Sequence, residues 1–325
     1  MPQSRLSTLF DDALVSLPDG PIAVLRPSRD TDLSALPKDR VTVVHGVKPD
    51  HDDWSARGYR TETDMPEAAT VIICVPRSKE QARGMLAEAS RRATLVIVDG
   101  QKTDGVDSLF KACRSALGDL PTLTKAHGRS FWFAGNSAFD DWAIGPATRA
   151  ESGFFTTPGV FSDGSVDRGS ALLGDALPRK LPKRMADFGA GWGYLASRVL
   201  ENADVVSVDL IEAERLSLEC ARLNVTDPRA GFHWADATRF KPELPYGGIV
   251  MNPPFHTGRA GTPELGRAFI AAAAAALTPS GTLWMVANRH LPYETALNDA
   301  FREVTDIGGD KGFKLFAASR PKRRA

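Results

Sequence analysis

Cysteine is scarce in this sequence. Cys74, Cys113 and Cys220 are the only three in 325 residues, they lie far apart, and no C-x-x-C pair occurs, a usage that suits a reducing cytoplasm. Long apolar runs are absent too. Arg and Lys interrupt every stretch before it reaches the roughly 20 residues that a membrane-spanning helix needs, so no membrane association is expected. Met1 to Asp12 lacks the basic-then-apolar order of a secretion signal. Neither charge sign is in excess: Lys plus Arg and Asp plus Glu number 40 each, which leaves no global basic field, and any nucleic-acid contact must use a local patch. The six histidines show no paired metal spacing, and no metal site is expected.

What is present is a hydrophobic fraction of 42% with 25% charged residues, ordinary for a globular chain. The length points to two domains of roughly 150 residues each, here taken as 1–150 and 151–325. In the first, Ile22–Leu25, Val41–Val44, Thr70–Val75, Thr94–Val98 and Ser130–Ala134 read as short buried strands, β-branched or aromatic and bounded by Pro, Gly or Asp. Helices are expected over Ser78–Arg92, with Ser78 as cap, and over Val106–Leu117. The alternation argues a parallel α/β sheet. The glycine-rich turn of a nucleotide-binding domain is missing, because Arg26-Pro27-Ser28-Arg29-Asp30 follows the first strand. This half is expected to keep the architecture without a cofactor site, as a substrate-docking or scaffolding domain or a plain structural one.

Between the halves, residues 156–164 are rich in turn formers, and a short amphipathic helix is expected after Asp167. Arg179, Lys180, Lys183 and Arg184 form a basic cluster that is either solvated or in contact with phosphates.

The second half carries the chemistry. A short strand ends at Asp187, and Gly189, Gly191 and Gly193 then alternate through a tight loop into a helix over Tyr194–Leu200. Glycine is needed where backbone must approach a ligand closely or take positive φ. The spacing G-x-G-x-G differs from the G-x-G-x-x-G of dinucleotide folds. An acid ahead of the loop suits a cationic amino-acid end and would repel a pyrophosphate. A second strand, Asp204–Asp209, is expected to end in an acid 18 residues after Gly191, near the ~20-residue spacing of a ribose-binding carboxylate. A helix is expected over Ile211–Leu223, and a third strand, Gly231–Ala235, leads to Asp236-Ala237, with Asp236 placed to accept from an adenine amine.

The fourth strand runs Gly248-Ile249-Val250-Met251 into Asn252-Pro253-Pro254-Phe255-His256. Two prolines make a stiff turn that presents the Asn252 side-chain carbonyl beside the Pro253 carbonyl. Paired acceptors of this kind can take both hydrogens of a planar –NH2 group, and Phe255 offers a face for stacking. The plainer alternative is a strand terminator followed by a core Phe. Further on come a helix over Pro263–Leu277, a strand over Thr282–Ala287, a helix over Tyr293–Phe301 and an antiparallel hairpin of Val304–Ile307 with Phe313–Ala318.

This ordered set resembles the class I S-adenosylmethionine (SAM) methyltransferases. With Pro158-Gly159-Val160-Phe161-Ser162, Asp167, Gly169-Ser170, Val286-Ala287-Asn288-Arg289 and Leu291-Pro292-Tyr293, it is most similar to the bacterial ribosomal RNA guanine-N2 methyltransferases that act on the small subunit (16S rRNA). The resemblance covers roughly Pro158 to Phe316. It implies two tandem Rossmann-like domains, the first degenerate and the second with a seven-stranded sheet ending in an antiparallel hairpin. It implies SAM as cofactor, ribosomal RNA or the small subunit as partner, and a cytoplasmic enzyme. Asn252, Pro253, Pro254 and Phe255 would be catalytic. Phe161, Asp187, Gly189, Gly191, Gly193, Asp209, Leu210, Asp236, Ala237 and Asn252 would surround the cofactor. Phe188 and Ala190 depart from the Leu and Cys more usual in that family, and leave the glycines intact. Rival readings are methylation of another exocyclic amine (23S rRNA, tRNA or DNA) or of a protein glutamine, and a non-catalytic SAM- or RNA-binding module.

Overall fold

The computed structural model describes residues 4–162, 164–254 and 263–322. Phe255 and His256, together with Arg323 and Arg324 of the basic tail, lie outside the described residues. The chain forms two compact units, Met1–Pro146 and Ala147–Ala325.

The first unit contains α1 (Arg5–Asp11), β1 (Ile22–Leu25), β2 (Val41–Val44), α2 (Lys48–Ala56), β3 (Arg60–Glu62), β4 (Thr70–Cys74), α3 (Lys79–Arg92), β5 (Leu95–Gln101), α4 (Val106–Leu117), β6 (Thr122–Lys125) and β7 (Gly128–Ala134). Its sheet has the order β3-β2-β1-β4-β5-β7-β6. The first five strands in that order are parallel, and β7 runs antiparallel to both β5 and β6. β1 and β2 are buried along their whole length, as strands covered on both faces must be, which is why they read as unbroken apolar runs. Ser78 caps α3 through its hydroxyl, which accepts from the Gln81 N–H at 3.2 Å.

The second unit opens with a small ribbon, β8 (Thr148–Arg149) and β9 (Phe155–Thr156), then α5 (Arg168–Ala176). β10 (Arg184–Phe188), α6 (Tyr194–Leu200), β11 (Ser207–Glu212), α7 (Arg215–Asn224), β12 (Ala230–Trp234) and β13 (Tyr246–Met251) follow. α8 (Pro263–Ala276), β14 (Leu277–Asn288), α9 (Tyr293–Ala300), β15 (Phe301–Gly309) and β16 (Phe313–Pro321) complete it. The sheet order β12-β11-β10-β13-β14-β16-β15 repeats that of the first unit strand for strand, including the antiparallel final pair. The strand order reverses between β10 and β13, and in open α/β sheets the crevice at the carboxyl ends of such a pair receives the ligand.

One expected boundary moves. The second strand of this unit spans Ser207–Glu212 and not Asp204–Asp209, and α7 begins at Arg215 and not at Ile211. Val206 is 61% exposed and lies ahead of the strand, just after a turn whose Leu200, Asn202 and Val205 carbonyls the Arg229 guanidinium holds. Ile211, by contrast, is fully buried in the core on one face of the sheet.

Candidate active site

β10 delivers Asp187 to the crevice and passes into the turn Gly189–Gly193. The N–H groups of Gly189 and Ala190 both donate to the Ile211 carbonyl, at 2.9 and 3.2 Å, so the turn leans on the end of β11. Gly191 has φ +55 and Gly193 has φ +94, values that L side chains rarely adopt. A Cβ at Gly193 would also stand 2.8 Å from Val225, because α6 starts against α7. At Gly191 a Cβ would meet nothing within 4 Å, since that side opens into the crevice.

The crevice is bordered by Gly189, Ala190 and Gly191, by Trp192, Tyr194 and Leu195 at the start of α6, and by Phe161, Asp167 and Ser170. Asp187 and Asn252, the ends of the two diverging strands, complete it. Phe161 is 59% exposed, and its carbonyl accepts from the Trp192 indole N–H at 3.0 Å.

Asp187 is wholly buried. Its Oδ2 accepts from the Ala196 N–H at 3.0 Å, which satisfies one of the donors left open at the start of α6. Its Oδ1 has no partner among the described residues. Burial raises the carboxyl pKa to about 8, against the downward pull of the Ala196 amide, and the nearby Glu212 pushes it in the same direction as burial.

Asn252 follows the last residue of β13. Its Nδ2 donates to Asp167 Oδ2 and to Ser170 Oγ, both at 2.8 Å, and its Oδ1 is buried without a partner among the described residues. Such an oxygen costs about 1–3 kcal/mol unless a ligand supplies a donor. Pro253 is buried and Pro254 exposed.

Asp209 and Leu210 do not stand where the sequence spacing put them. Asp209 lies three residues before the end of β11, opposite Ala186 in the middle of β10. Its Oδ1 pairs with His233 Nε2 at 3.1 Å and its Oδ2 accepts from the Tyr246 hydroxyl at 2.7 Å. The His233 and Tyr246 hydrogen bonds hold this carboxyl below its ordinary pKa, against the partial burial. Leu210 is fully buried in the core of the opposite face. The acid at the strand end is Glu212, which the sequence reading missed. Its Oε2 accepts from the Gly191 N–H and its Oε1 from the Glu214 N–H, each at 2.7 Å, and burial raises its pKa.

Asp236 lies just beyond β12, where its Oδ1 accepts from the Thr238 N–H at 2.9 Å and hydroxyl at 2.6 Å. Ala237 beside it is buried. Asp167 and Ser170 also went unassigned as site residues. Asp167 is the N-cap of α5, its Oδ2 accepting from the Ser170 N–H at 2.8 Å. The pattern Asp-x-x-Ser before an apolar run announces a cap, but nothing in it announces Asn252. No group of metal-ligating side chains occurs among the described residues, and no helix among them is long and apolar enough to cross a membrane.

Residues 151–317 match the methyltransferase small domain family. The Psychromonas ingrahamii ribosomal RNA small subunit methyltransferase C is 36% identical over 279 residues, covering 80% of this chain and 77% of that one. The Shewanella amazonensis protein of the same description is 28% identical over 261 residues, 76% of each chain. Among solved structures, the T. thermophilus 16S rRNA N2 G1207 methyltransferase, in complex with AdoMet and guanosine, superposes with a TM-score of 0.81 at 22% identity, covering 98% of this chain and 92% of that one. That likeness spans both units and shows the two-domain methyltransferase fold.

Proposed function

The chain belongs to the methyltransferase small domain family and, within it, to the ribosomal RNA small subunit methyltransferases C, and from that premise we propose that it moves a methyl group from SAM to the exocyclic N2 amine of a guanine in 16S ribosomal RNA. The observation that supports this reading best is the buried Asn252 Oδ1, unpartnered among the described residues at the end of β13, while the amide nitrogen is already committed.

The crevice fits the cofactor. The buried Asp187 Oδ1 has no donor among the described residues, and the glycine turn that follows it leaves room at Gly191. This oxygen suits a ligand bearing a cationic N–H group. When bound, SAM supplies an electrophilic methyl group on a sulfonium. Asp187 would hold its amino-acid end, Glu212 its ribose hydroxyls, and Asp236 with Ala237 its adenine edge, with Phe161 and the three glycines closing around it.

The N2 amine of guanine is a weak nucleophile because its lone pair is delocalised into the ring. Asn252 Oδ1 and the Pro253 carbonyl accept its two N–H bonds and turn the lone pair toward the methyl group. Phe255, which lies outside the described residues, stacks on the unpaired base, a contact worth ~1–3 kcal/mol. Alignment of the reacting atoms contributes ~7–11 kcal/mol where it is good. Asn252 stays neutral throughout, and the proton leaves to water after transfer. The first unit serves as docking or scaffold for the RNA, and the enzyme works in the cytoplasm, where Cys74, Cys113 and Cys220 remain thiols.

The test is Asn252→Ala with labelled SAM, unmodified 16S rRNA as free transcript and as assembled subunit, and nucleoside analysis of the product. SAM affinity should stay within about twofold while methyl transfer to guanine N2 falls ~100-fold or more. Turnover retained in this variant removes the reading.

A further inference from the structure

We propose that Asp167 and Ser170 are positioning residues that lock the carboxamide of Asn252 with its oxygen toward the substrate amine. The inference rests on the reading of Asn252 as acceptor for that amine.

A carboxamide can turn over about its last torsion, exchanging O and N at little steric cost, so hydrogen bonding alone decides which atom faces the crevice. With nothing fixing it, Asn252 would present –NH2 to the substrate's –NH2 for part of the time, donor against donor. Here both amide hydrogens are taken. Asp167 Oδ2 receives one and Ser170 Oγ the other, each at 2.8 Å. Turning the amide over would set its oxygen against Asp167 Oδ2, an oxygen that already serves as acceptor for the Ser170 N–H. The oxygen is thereby confined to the crevice side, where it is buried and has no protein donor among the described residues.

The clamp is itself held in place. The Asp167 oxygen that binds Asn252 is the one that accepts from the Ser170 N–H at 2.8 Å and caps α5. Ser170 is 8% exposed, so its hydroxyl has little water to compete for it. Gly169 lets this helix start pack closely, since a Cβ there would stand 2.9 Å from the Phe313 ring and 3.1 Å from Asp167 Oδ2. An anchor 85 residues earlier in the chain therefore fixes the orientation of the acceptor on β13.

Capping and clamping by Asp167 are separable. Asp167→Ser keeps a good helix cap, since Ser and Asp are near-equal N-caps, but its shorter side chain cannot reach Asn252. Asp167→Asn keeps both the cap and an acceptor oxygen. For Asp167→Ser, the protein should stay folded and melt within about 5 °C of the parent, with SAM Kd unchanged and kcat on 16S rRNA down ~tenfold or more. Asp167→Asn should restore kcat to within about threefold of the parent. Selective 15N labelling of asparagine should show the two Asn252 amide protons distinct and exchange-protected in the parent protein and no longer so in Asp167→Ser. Should that variant not fold, Ser170→Ala decides instead, because it removes one acceptor and leaves the cap. A kcat loss of about threefold or more at unchanged SAM Kd is expected there. Parental kcat in the folded variants, a loss that only follows the unfolded fraction, or failure of Asp167→Asn to restore turnover overturns the proposal. Asn252→Ala separates the two ideas. If it is inactive while Asp167→Ser is fully active, the clamp alone fails; if it is active, the acceptor reading fails.

Discussion

The backbone N–H of Gly191 donates to Glu212 Oε2 at 2.7 Å, tying the open glycine of the turn after β10 to the last residue of β11. This bond fixes where the acid proposed for the ribose side stands. Glu212→Gln should weaken SAM binding about 10- to 100-fold, the scale of a charge-assisted hydrogen-bond pair. Asp209→Asn should leave Kd within about twofold and lower thermal stability instead, because its partners are His233 and Tyr246. Calorimetric titration of the two variants, with thermal melts, separates these assignments. Weak SAM binding in Asp209→Asn with unchanged binding in Glu212→Gln would reverse them.

Much of the site was legible because punctuation marks it. Alternate glycines after Asp187 and paired prolines after Asn252 end their strands visibly, and those residues frame the crevice. β11 had no such mark at its start. Val205-Val206-Ser207-Val208 carries an apolar run from just after a turn into the strand, and only the tertiary grip of Arg229 on that turn shows where the strand begins. A three-residue slip then promoted Asp209 over Glu212. The edge strands β3 and β6, Arg60-Thr61-Glu62 and Thr122-Leu123-Thr124-Lys125, went unread for a different reason. They are polar and partly exposed, so no apolar run signals them. The Asp167–Asn252 bond joins distant stretches, and local spacing carries no trace of it.

Asp187 gives a pH signature. Burial pushes its carboxyl up to about 8 in the free protein, so at pH 7 the protonated form prevails. A cationic ligand favours the ionised form. SAM binding at pH 7 should therefore release close to one proton, and affinity should rise up to about tenfold between pH 7 and 9. Stability of the free protein moves the other way. A folded pKa raised above the ordinary carboxylate value gives a contribution that is complete below about pH 4 and is lost as pH rises through 8. Asp187→Asn should abolish the proton release and flatten this component of the melting profile. Calorimetry in buffers of different ionisation enthalpy measures the first effect. Equal proton release by Asp187→Asn would detach this group from the cofactor.

Two glycines of the same turn should fail differently. Gly193→Ala meets both a positive φ and Val225 at 2.8 Å, and should cost about 1–3 kcal/mol of stability. Gly191→Ala pays only the conformational term, about 1 kcal/mol, because nothing lies within 4 Å of the new Cβ. That Cβ enters the crevice, so SAM affinity should fall by more than the loss of folding stability predicts. Denaturant melts beside binding titrations resolve the two. If both variants lose stability and affinity in the same ratio, the crevice side of Gly191 is not the cofactor side.

The two sheets share one strand order, yet a single SAM per chain is expected. The turn after β1 begins as the one after β10 does: the Arg26 N–H donates to the Val44 carbonyl at 2.8 Å, as that of Gly189 does to Ile211 at 2.9 Å. From there they part. Arg26 carries a side chain at φ +53 where β10 is followed by glycine, only the single 3-10 turn Lys38–Arg40 and no α-helix stands between β1 and β2, and the indole of buried Trp54 donates to the Pro27 carbonyl at 3.0 Å. β4 ends at Cys74-Val75-Pro76, with no carboxamide to receive an amine. Calorimetry on the full chain should give a stoichiometry of one, and Glu212→Gln combined with Gly191→Val should remove all of the measured binding. A second binding event that survives those substitutions would mean that the first unit keeps a cofactor site of its own.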